Sequence, residues 1–311
     1  MKAARIHRFG APDALVLEDL PCPEPDPDQV LVRVVAAGVG PWDAWIREKK
    51  SVVNVSLPLT LGSDLSGIVA SVGSDVHHLQ SGDEVYGATN AQFVGAYAEY
   101  ALASASMLAR KPKSLTFEEA ASAPVVAVTA WQMLFDYAEA EAGQSVLIHG
   151  AAGNVGAYAV QLARQAGLRI FATASSADAS FVESLGAEAV IDYESTRFED
   201  AASQVDIVLD MVGGATRSRS FQVIKPGGIL VSVVSDAPPG PNVPAGVRSV
   251  FFLVDVSTQR LERLTERFDG GVLKARVGSV LPLDQVRRAH EMLGGAPHER
   301  GKIVLRIAPV A

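Results

Sequence analysis

The chain has 311 residues, 48% hydrophobic and 20% charged, which is the composition of a globular protein and excludes a disordered one. Its net charge of -8, without any run rich in Lys and Arg, predicts that it does not bind nucleic acid. The single cysteine, Cys22, excludes an intrachain disulfide and a thiolate-rich zinc site.

The N-terminus begins with a predicted strand over residues 2–7. It lacks the basic segment, apolar core and cleavage site of a secretory signal. No apolar run has the length that spans a membrane. We therefore expect a cytoplasmic location and no membrane partner.

Short β-rich runs separated by Gly, Pro and Asp turns continue to about residue 117. The predicted strands cover 30–36, 67–72, 84–86 and 97–102. Many short strands with turn signals between them predict a barrel-like β domain.

Residues 146–163 predict a strand, a turn of small residues and a helix. The turn contains Ala151, Gly153 and Gly156 in the pattern Ala-x-Gly-x-x-Gly, one glycine short of the dinucleotide fingerprint. Amide groups at the start of such a helix, including those of Asn154 and Val155, point at an anion. The segment therefore predicts a site for a nucleotide pyrophosphate.

Strands and helices alternate after this turn. Strands are predicted at 169–173, 189–191, 205–210, 228–234 and 249–254, with a helix at 177–185 and a loop at 236–246. This order predicts βαβ units and a parallel sheet covered on both faces, an α/β fold. From about residue 260 a helix, a second helix at 285–293 and a closing strand at 302–307 predict a return to the first domain.

Several short motifs occur in a specific order and spacing. They are AAGVGPWD at 36–43, GSDLSG at 62–67, GDEVYG at 82–87, AYAEY at 96–100, TA at 129–130, DMVGG at 210–214 and GKIV at 301–304. With them, essentially the whole chain resembles the zinc-independent, zeta-crystallin-like quinone oxidoreductase branch of the medium-chain dehydrogenase/reductase superfamily. The resemblance implies a GroES-like β-barrel domain over 1–117 and 260–311, a Rossmann doubly wound parallel-sheet domain over 118–259, and a homodimer.

The sequence also predicts that no metal is bound. Zinc-dependent relatives carry a cysteine where this chain has Gly38 to Gly40, and Gly-His-Glu where it has Gly62, Ser63 and Asp64. Hydride transfer without a Lewis acid suits an activated acceptor such as a quinone or an enone.

NADPH is the predicted cofactor, because no acid directly follows the second strand, where a carboxylate would repel a 2′-phosphate. The resemblance matches Ser175, Ser176 and Tyr193 to residues that contact this phosphate. Both serines have an alternative role as caps of the second helix. The lysine usual in that helix is Ala179 here, with Asp178 beside it, so the expected cation is missing. Arg197 is a possible replacement cation.

The resemblance matches seven more residues to cofactor-facing positions. They are Thr129 near the nicotinamide, Val212 and Gly213 after the fourth strand, Phe251, Phe252 and Val254 on the strand beside the carboxamide, and Lys302. Ordinary core packing is the alternative for the two phenylalanines. For Lys302 the alternative is a solvated lysine at a strand end.

The predicted substrate pocket is aromatic and lined by Trp42 and Trp45, with core packing as the alternative. Trp45 stands where relatives have a tyrosine, and indole is not an effective general acid, so we expect protonation by water or a relay through the cofactor ribose. Tyr97 is a second candidate for a pocket hydroxyl. Asp43 and Asp64 are interpreted as turn or ion-pair residues.

The resulting function is an NADPH-dependent reductase of quinones or α,β-unsaturated carbonyls, with the substrate bound in the cleft between the two domains. Two alternatives stay open. One is an enoyl-thioester reductase, which needs a basic rim for its carrier. The other is a non-catalytic NADPH-binding structural or sensor protein.

Overall fold

The computed structural model describes residues 1–234 and 243–308, and the predicted loop at 236–246 lies mostly outside them. The chain divides into a first unit, residues 1–125 and 255–311, and a second unit, residues 126–254. The sequence analysis predicted the boundaries at 117 and 259. Within the described ranges, no helix is both long and apolar enough to cross a membrane.

Short strands dominate the N-terminal part of the first unit. Its elements are β1 (Lys2–Ile6), β2 (Leu15–Asp19), β3 (Gln29–Val39), α1 (Pro41–Arg47), β4 (Leu59–Thr60), β5 (Asp64–Val72), β6 (Glu84–Ala88), β7 (Tyr100–Ser104), β8 (Leu108–Arg110) and α2 (Phe117–Ala121). Strand β7 starts three residues later than predicted. The backbone of Tyr97 instead bonds to Leu61 and Ala4, so this residue joins a different part of the β structure.

Helix α3 (Pro124–Trp131) continues as a π-helix (Gln132–Tyr137) and leads into the second unit. The second unit contains β9 (Ser145–His149), α4 (Asn154–Gln165), β10 (Arg169–Ala174), α5 (Ala179–Leu185), β11 (Ala189–Asp192), α6 (Phe198–Ala201), β12 (Val205–Asp210), α7 (Gly214–Ser220), β13 (Ile224–Ser232) and β14 (Arg248–Phe251). Its six strands are all parallel, in the order β11-β10-β9-β12-β13-β14. The predicted α/β fold is confirmed.

Two predicted strands of the second unit differ from the structure by three or more residues at one end. Strand β13 begins at Ile224, four residues before the predicted start at 228. Strand β14 ends at Phe251, so the prediction that it continues to Val254 is wrong. Parallel pairing needs a partner backbone, and β13 itself ends at Ser232, which pairs with Phe251.

The chain ends with α8 (Thr258–Asp269), β15 (Val277–Pro282), α9 (Val286–Leu293) and β16 (Lys302–Arg306). Strand β16 pairs antiparallel with β3, so the tail adds a strand to the β sheet of the first unit. The core of this unit is aliphatic and combines residues from both ends of the chain, including Val32, Leu65 and Leu305.

Candidate functional site

The turn between β9 and α4 lies at the switch point of the parallel sheet, where β10 and β12 pair with opposite sides of β9. In open α/β sheets, ligands bind at this point, beyond the carboxyl ends of the strands. Gly150 has a φ of +72°, and a Cβ on Gly156 would lie 2.2 Å from the Gly150 carbonyl oxygen. The turn therefore requires glycine at both positions, and the first amides of α4 have no carbonyl within the helix to bond.

The buried side chain of His149 links the end of β9 to β10 and to α7. His149 Nδ1 is 3.1 Å from Thr173 Oγ1, and its Nε2 is 2.9 Å from Ser220 Oγ. Burial lowers the pKa of His149 to about 4, so the imidazole is neutral at physiological pH. The sequence analysis assigned His149 no role, because a histidine at the end of a strand has no recognisable pattern.

Asp210 holds the turn after β12. Its Oδ1 accepts from the amides of Val212 at 3.0 Å and Gly213 at 2.8 Å, and its Oδ2 accepts from Ser232 Oγ at 2.8 Å. Gly213 has a φ of +77°, and the Val212 side chain is 52% exposed. These two predicted cofactor residues therefore sit on a braced turn at the same edge of the sheet as the β9–α4 turn.

The ends of β10 and β11 adjoin, and the Tyr193 amide donates to the Ala174 carbonyl at 3.2 Å. Ser175 Oγ donates to Asp178 Oδ2 at 2.9 Å, and it makes no side-chain capping bond to a helix amide. The capping alternative for Ser175 is therefore not supported. Ser176 is exposed, and the Tyr193 side chain is 61% exposed.

The remaining predicted residues of the second unit differ in exposure. Phe251 is 45% exposed, whereas Phe252 is buried and stacks on Tyr137 with ring centroids 4.3 Å apart. Core packing therefore describes Phe252 and not Phe251. Val254 is half-buried and lies beyond the strand, and Thr129 is buried on α3.

A buried ion pair lies in the first unit. Lys302 Nζ is 3.0 Å from Asp64 Oδ2 and 4.1 Å from the centre of the Trp42 ring. Asp64 Oδ1 accepts from the Val125 amide in the first turn of α3 at 2.9 Å. Trp42 Nε1 donates to Ser63 Oγ at 2.8 Å. Lys302 is 1% exposed, so the solvated-lysine alternative is wrong, and the ion-pair interpretation of Asp64 is confirmed.

Two glycines beside this ion pair leave no room for a side chain. A Cβ on Gly38 would lie 2.4 Å from the Ala121 carbonyl oxygen and 3.1 Å from Lys302 Cε. A Cβ on Gly40 would lie 2.4 Å from the Trp42 ring. Packing therefore opposes a cysteine at either position. Within 1–234 and 243–308, no group of three or more His, Cys, Asp or Glu side chains could hold a metal.

Asp43 and Tyr97 form a second buried pair. Asp43 Oδ2 accepts from the Gly40 amide at 2.8 Å and from the Tyr97 hydroxyl at 3.0 Å. Burial raises the pKa of Asp43 to about 7, and burial together with Asp43 raises the pKa of Tyr97 well above its usual value. Tyr97 has no exposed surface, so its prediction as a pocket hydroxyl is not supported. Trp45 is 51% exposed on α1 and is not a core residue, whereas Trp42 is half-buried.

A parallel sheet with a glycine turn at its switch point, in a chain that also has a β-rich unit completed by the C-terminal tail, is typical of dinucleotide-dependent oxidoreductases. Family models match residues 26–113, described as an alcohol dehydrogenase GroES-like domain, and residues 185–305, described as a zinc-binding dehydrogenase. The chain belongs to the medium-chain dehydrogenase/reductase superfamily, in which quinone oxidoreductases are among its relatives, as the sequence analysis predicted.

Known proteins match over nearly the full length. The chain is 32% identical to the human quinone oxidoreductase, covering 98% of this chain and 97% of that protein. It is 35% identical to the chloroplastic NADPH-dependent alkenal/one oxidoreductase of Arabidopsis thaliana, covering 99% and 80%. Among solved structures, the quinone oxidoreductase from Coxiella burnetii has a TM-score of 0.91 and 34% identity, with 99% of both chains covered.

Proposed function

We propose that the chain is an NADPH-dependent reductase that transfers a hydride to a quinone or an α,β-unsaturated carbonyl without zinc. The observation that carries the proposal is the glycine turn at the switch point, in a chain similar over its full length to quinone and alkenal/one oxidoreductases. When bound, NADPH supplies the hydride. The turn from Ala151 to Gly156 would hold its pyrophosphate, and Thr129, Val212, Gly213 and Phe251 would face the nicotinamide half.

Zinc independence is supported by what occupies the ligand positions of the zinc enzymes. Ser63 Oγ accepts from the Trp42 indole, and Asp64 pairs with Lys302, so both side chains already have partners. Gly38 and Gly40 have no space for a cysteine. A zinc ion would therefore have to displace a buried lysine and rebuild the start of α1.

The first unit supplies the aromatic surface of the proposed substrate pocket. Trp45 is half exposed, and Trp42 is held in place by Ser63 and Lys302. By resemblance to the family, the substrate would bind in the cleft between the domains. The Tyr97 hydroxyl donates a hydrogen bond to Asp43, and its pKa is raised. We therefore propose that water, or a relay through the cofactor ribose, supplies the proton that completes the reduction.

The direct test mixes purified protein with NADPH and a panel of a benzoquinone, a short enone and a 2-enoyl-CoA, while NADPH absorbance is recorded. We expect consumption with the quinone or the enone. Turnover with the enoyl-CoA alone would favour the enoyl-thioester alternative. NADPH binding without any turnover would favour the structural or sensor alternative.

Two further measurements test the pocket and the metal. Trp45→Ala should raise KM for the acceptor several-fold and leave the Kd for NADPH unchanged, because the lost contact is to the substrate. Leu17→Ala, at an exposed apolar residue on β2, is the control and should change neither value. The metal content of active protein should show no stoichiometric zinc, and zinc required for activity would contradict the proposal.

We also propose that two copies pair through β14, which lies at one edge of the parallel sheet. Phe251 is 45% exposed on it and Leu253 beyond it is 62% exposed, and an unpaired edge is a template for another strand. Light scattering should give twice the chain mass of 32.7 kDa. Leu253→Lys should lower that mass, and a monomeric parent protein would refute the pairing.

A further inference from the structure

A carboxylate lies against the hydroxyl that follows β10. The 3-10 turn at Ser176–Asp178 folds back, so that the Asp178 amide bonds to the Ser175 carbonyl at 3.0 Å and Ser175 Oγ donates to Asp178 Oδ2 at 2.9 Å. Asp178 comes four residues after β10 ends, so the sequence has no acid at the strand end itself, where a cofactor-selecting carboxylate is expected. In space, its carboxylate is within hydrogen-bond distance of the residue directly after the strand.

We propose that Asp178 is a specificity-determining residue that lowers the preference of this chain for NADPH over NADH. The inference rests on the proposed function, because it concerns the same cofactor. A carboxylate at the end of the second strand accepts from an adenosine ribose hydroxyl and repels a 2′-phosphate. The Ser175 hydroxyl has one proton, so a phosphate oxygen would compete with Asp178 for it.

The segment that follows β10 is acidic. Between Ser175 and Thr196 the sequence has no lysine or arginine, and it has five acids, Asp178, Glu183, Glu188, Asp192 and Glu194. Arg197 is the next cation, and its guanidinium is 3.5 Å from Glu199. Glu199 also accepts from Arg219 Nε and Nη2, which lowers its pKa to about 2 and keeps it charged. Glu199 therefore neutralises part of the charge with which Arg197 could attract a 2′-phosphate.

Binding of the two cofactors, measured by quenching of tryptophan fluorescence, tests the inference without turnover. The parent protein should bind NADPH and NADH with Kd values within about tenfold of each other, because the Asp178 carboxylate repels the 2′-phosphate. Asp178→Asn keeps an oxygen that can accept from Ser175 and removes the charge. It should tighten NADPH binding about tenfold and leave NADH binding unchanged or weaker.

The matched control is Glu183→Gln, which removes an exposed acid on α5 and should change both Kd values less than twofold. Asp178→Ser, a second neutral variant, should reproduce the shift, and circular dichroism verifies that both variants fold. An unchanged ratio of Kd values in both folded variants overturns the role of Asp178. Failure of the parent protein to bind either cofactor refutes instead the proposed function.

Discussion

Replacement of Lys302 by methionine tests whether the buried ion pair stabilises the first unit. Methionine keeps most of the apolar stem and removes the ammonium, which leaves the Asp64 carboxylate fully buried without its cation. At 3.0 Å and an effective dielectric constant of about 20, the two charges attract by about 5 kcal/mol. Loss of one partner of a buried pair costs about 3–5 kcal/mol, and we expect Lys302→Met to lose about 4 kcal/mol near pH 8.

The loss should depend on pH with a defined sign. Burial already raises the pKa of Asp64 above its ordinary value of 3.8, and the ammonium of Lys302 opposes that rise. Without Lys302 the folded variant holds the Asp64 proton to higher pH, whereas the unfolded chain releases it near 3.8. Relative to the parent, the free energy of unfolding of the variant therefore falls as the pH rises through the range in which the parent has released the Asp64 proton and the variant still holds it. We expect the deficit to be smaller at pH 5 than at pH 8.

Urea unfolding followed by circular dichroism at pH 5 and pH 8 measures both quantities. Arg306→Met is the matched control on the same strand, because Arg306 pairs with Glu118 at the surface, where its side chain is 58% exposed. It should cost less than about 1 kcal/mol at either pH. The double variant Lys302→Met with Asp64→Asn should recover most of the loss. A deficit as small as that of Arg306→Met, or one independent of pH, refutes the reasoning.

Four further variants test the pH response and the turn. Asp43 has a pKa of about 7 in the folded protein and 3.8 in the unfolded chain, so its contribution to stability is lost as the pH rises between these values. The free energy of unfolding of the parent, measured in urea, should therefore fall by about 4 kcal/mol over this range, and Asp43→Asn should abolish the fall. An unchanged pH slope in the variant would contradict this. His149 has a pKa of about 4 in the folded protein and 6.5 in the unfolded chain, so the free energy of unfolding rises by about 3 kcal/mol as the pH rises between these values. His149→Gln should remove this rise. A variant that keeps the pH slope of the parent would argue against a neutral, buried His149. Gly156→Ala should weaken NADPH binding more than about 100-fold, because the new Cβ would lie 2.2 Å from the Gly150 carbonyl oxygen. Gly153→Ala should weaken it less than about tenfold, because its Cβ would lie 3.2 Å from the same oxygen. Fluorescence titration measures both Kd values, and equal effects would show that the turn tolerates a side chain at residue 156.

Local pattern was sufficient for much of the second unit. The strand ending at His149, the glycine turn and the helix from Asn154 are contiguous in sequence, and their periodicity and small residues predict them directly. The return of the tail to the first unit was also predictable, because the 302–306 run reads as a strand. The bounds of β14 were not, because they depend on where its partner β13 ends.

Sequence by itself determined the α/β class, the dinucleotide turn and the superfamily, since each depends on neighbouring residues or on the order of short motifs. Only the tertiary structure decided the environment of the charged groups. Lys302 and Asp64 are 238 residues apart in the chain, and Asp43 and Tyr97 are 54 apart. Burial and the distance between two charges set their pKa values, and neither quantity is encoded within a short segment.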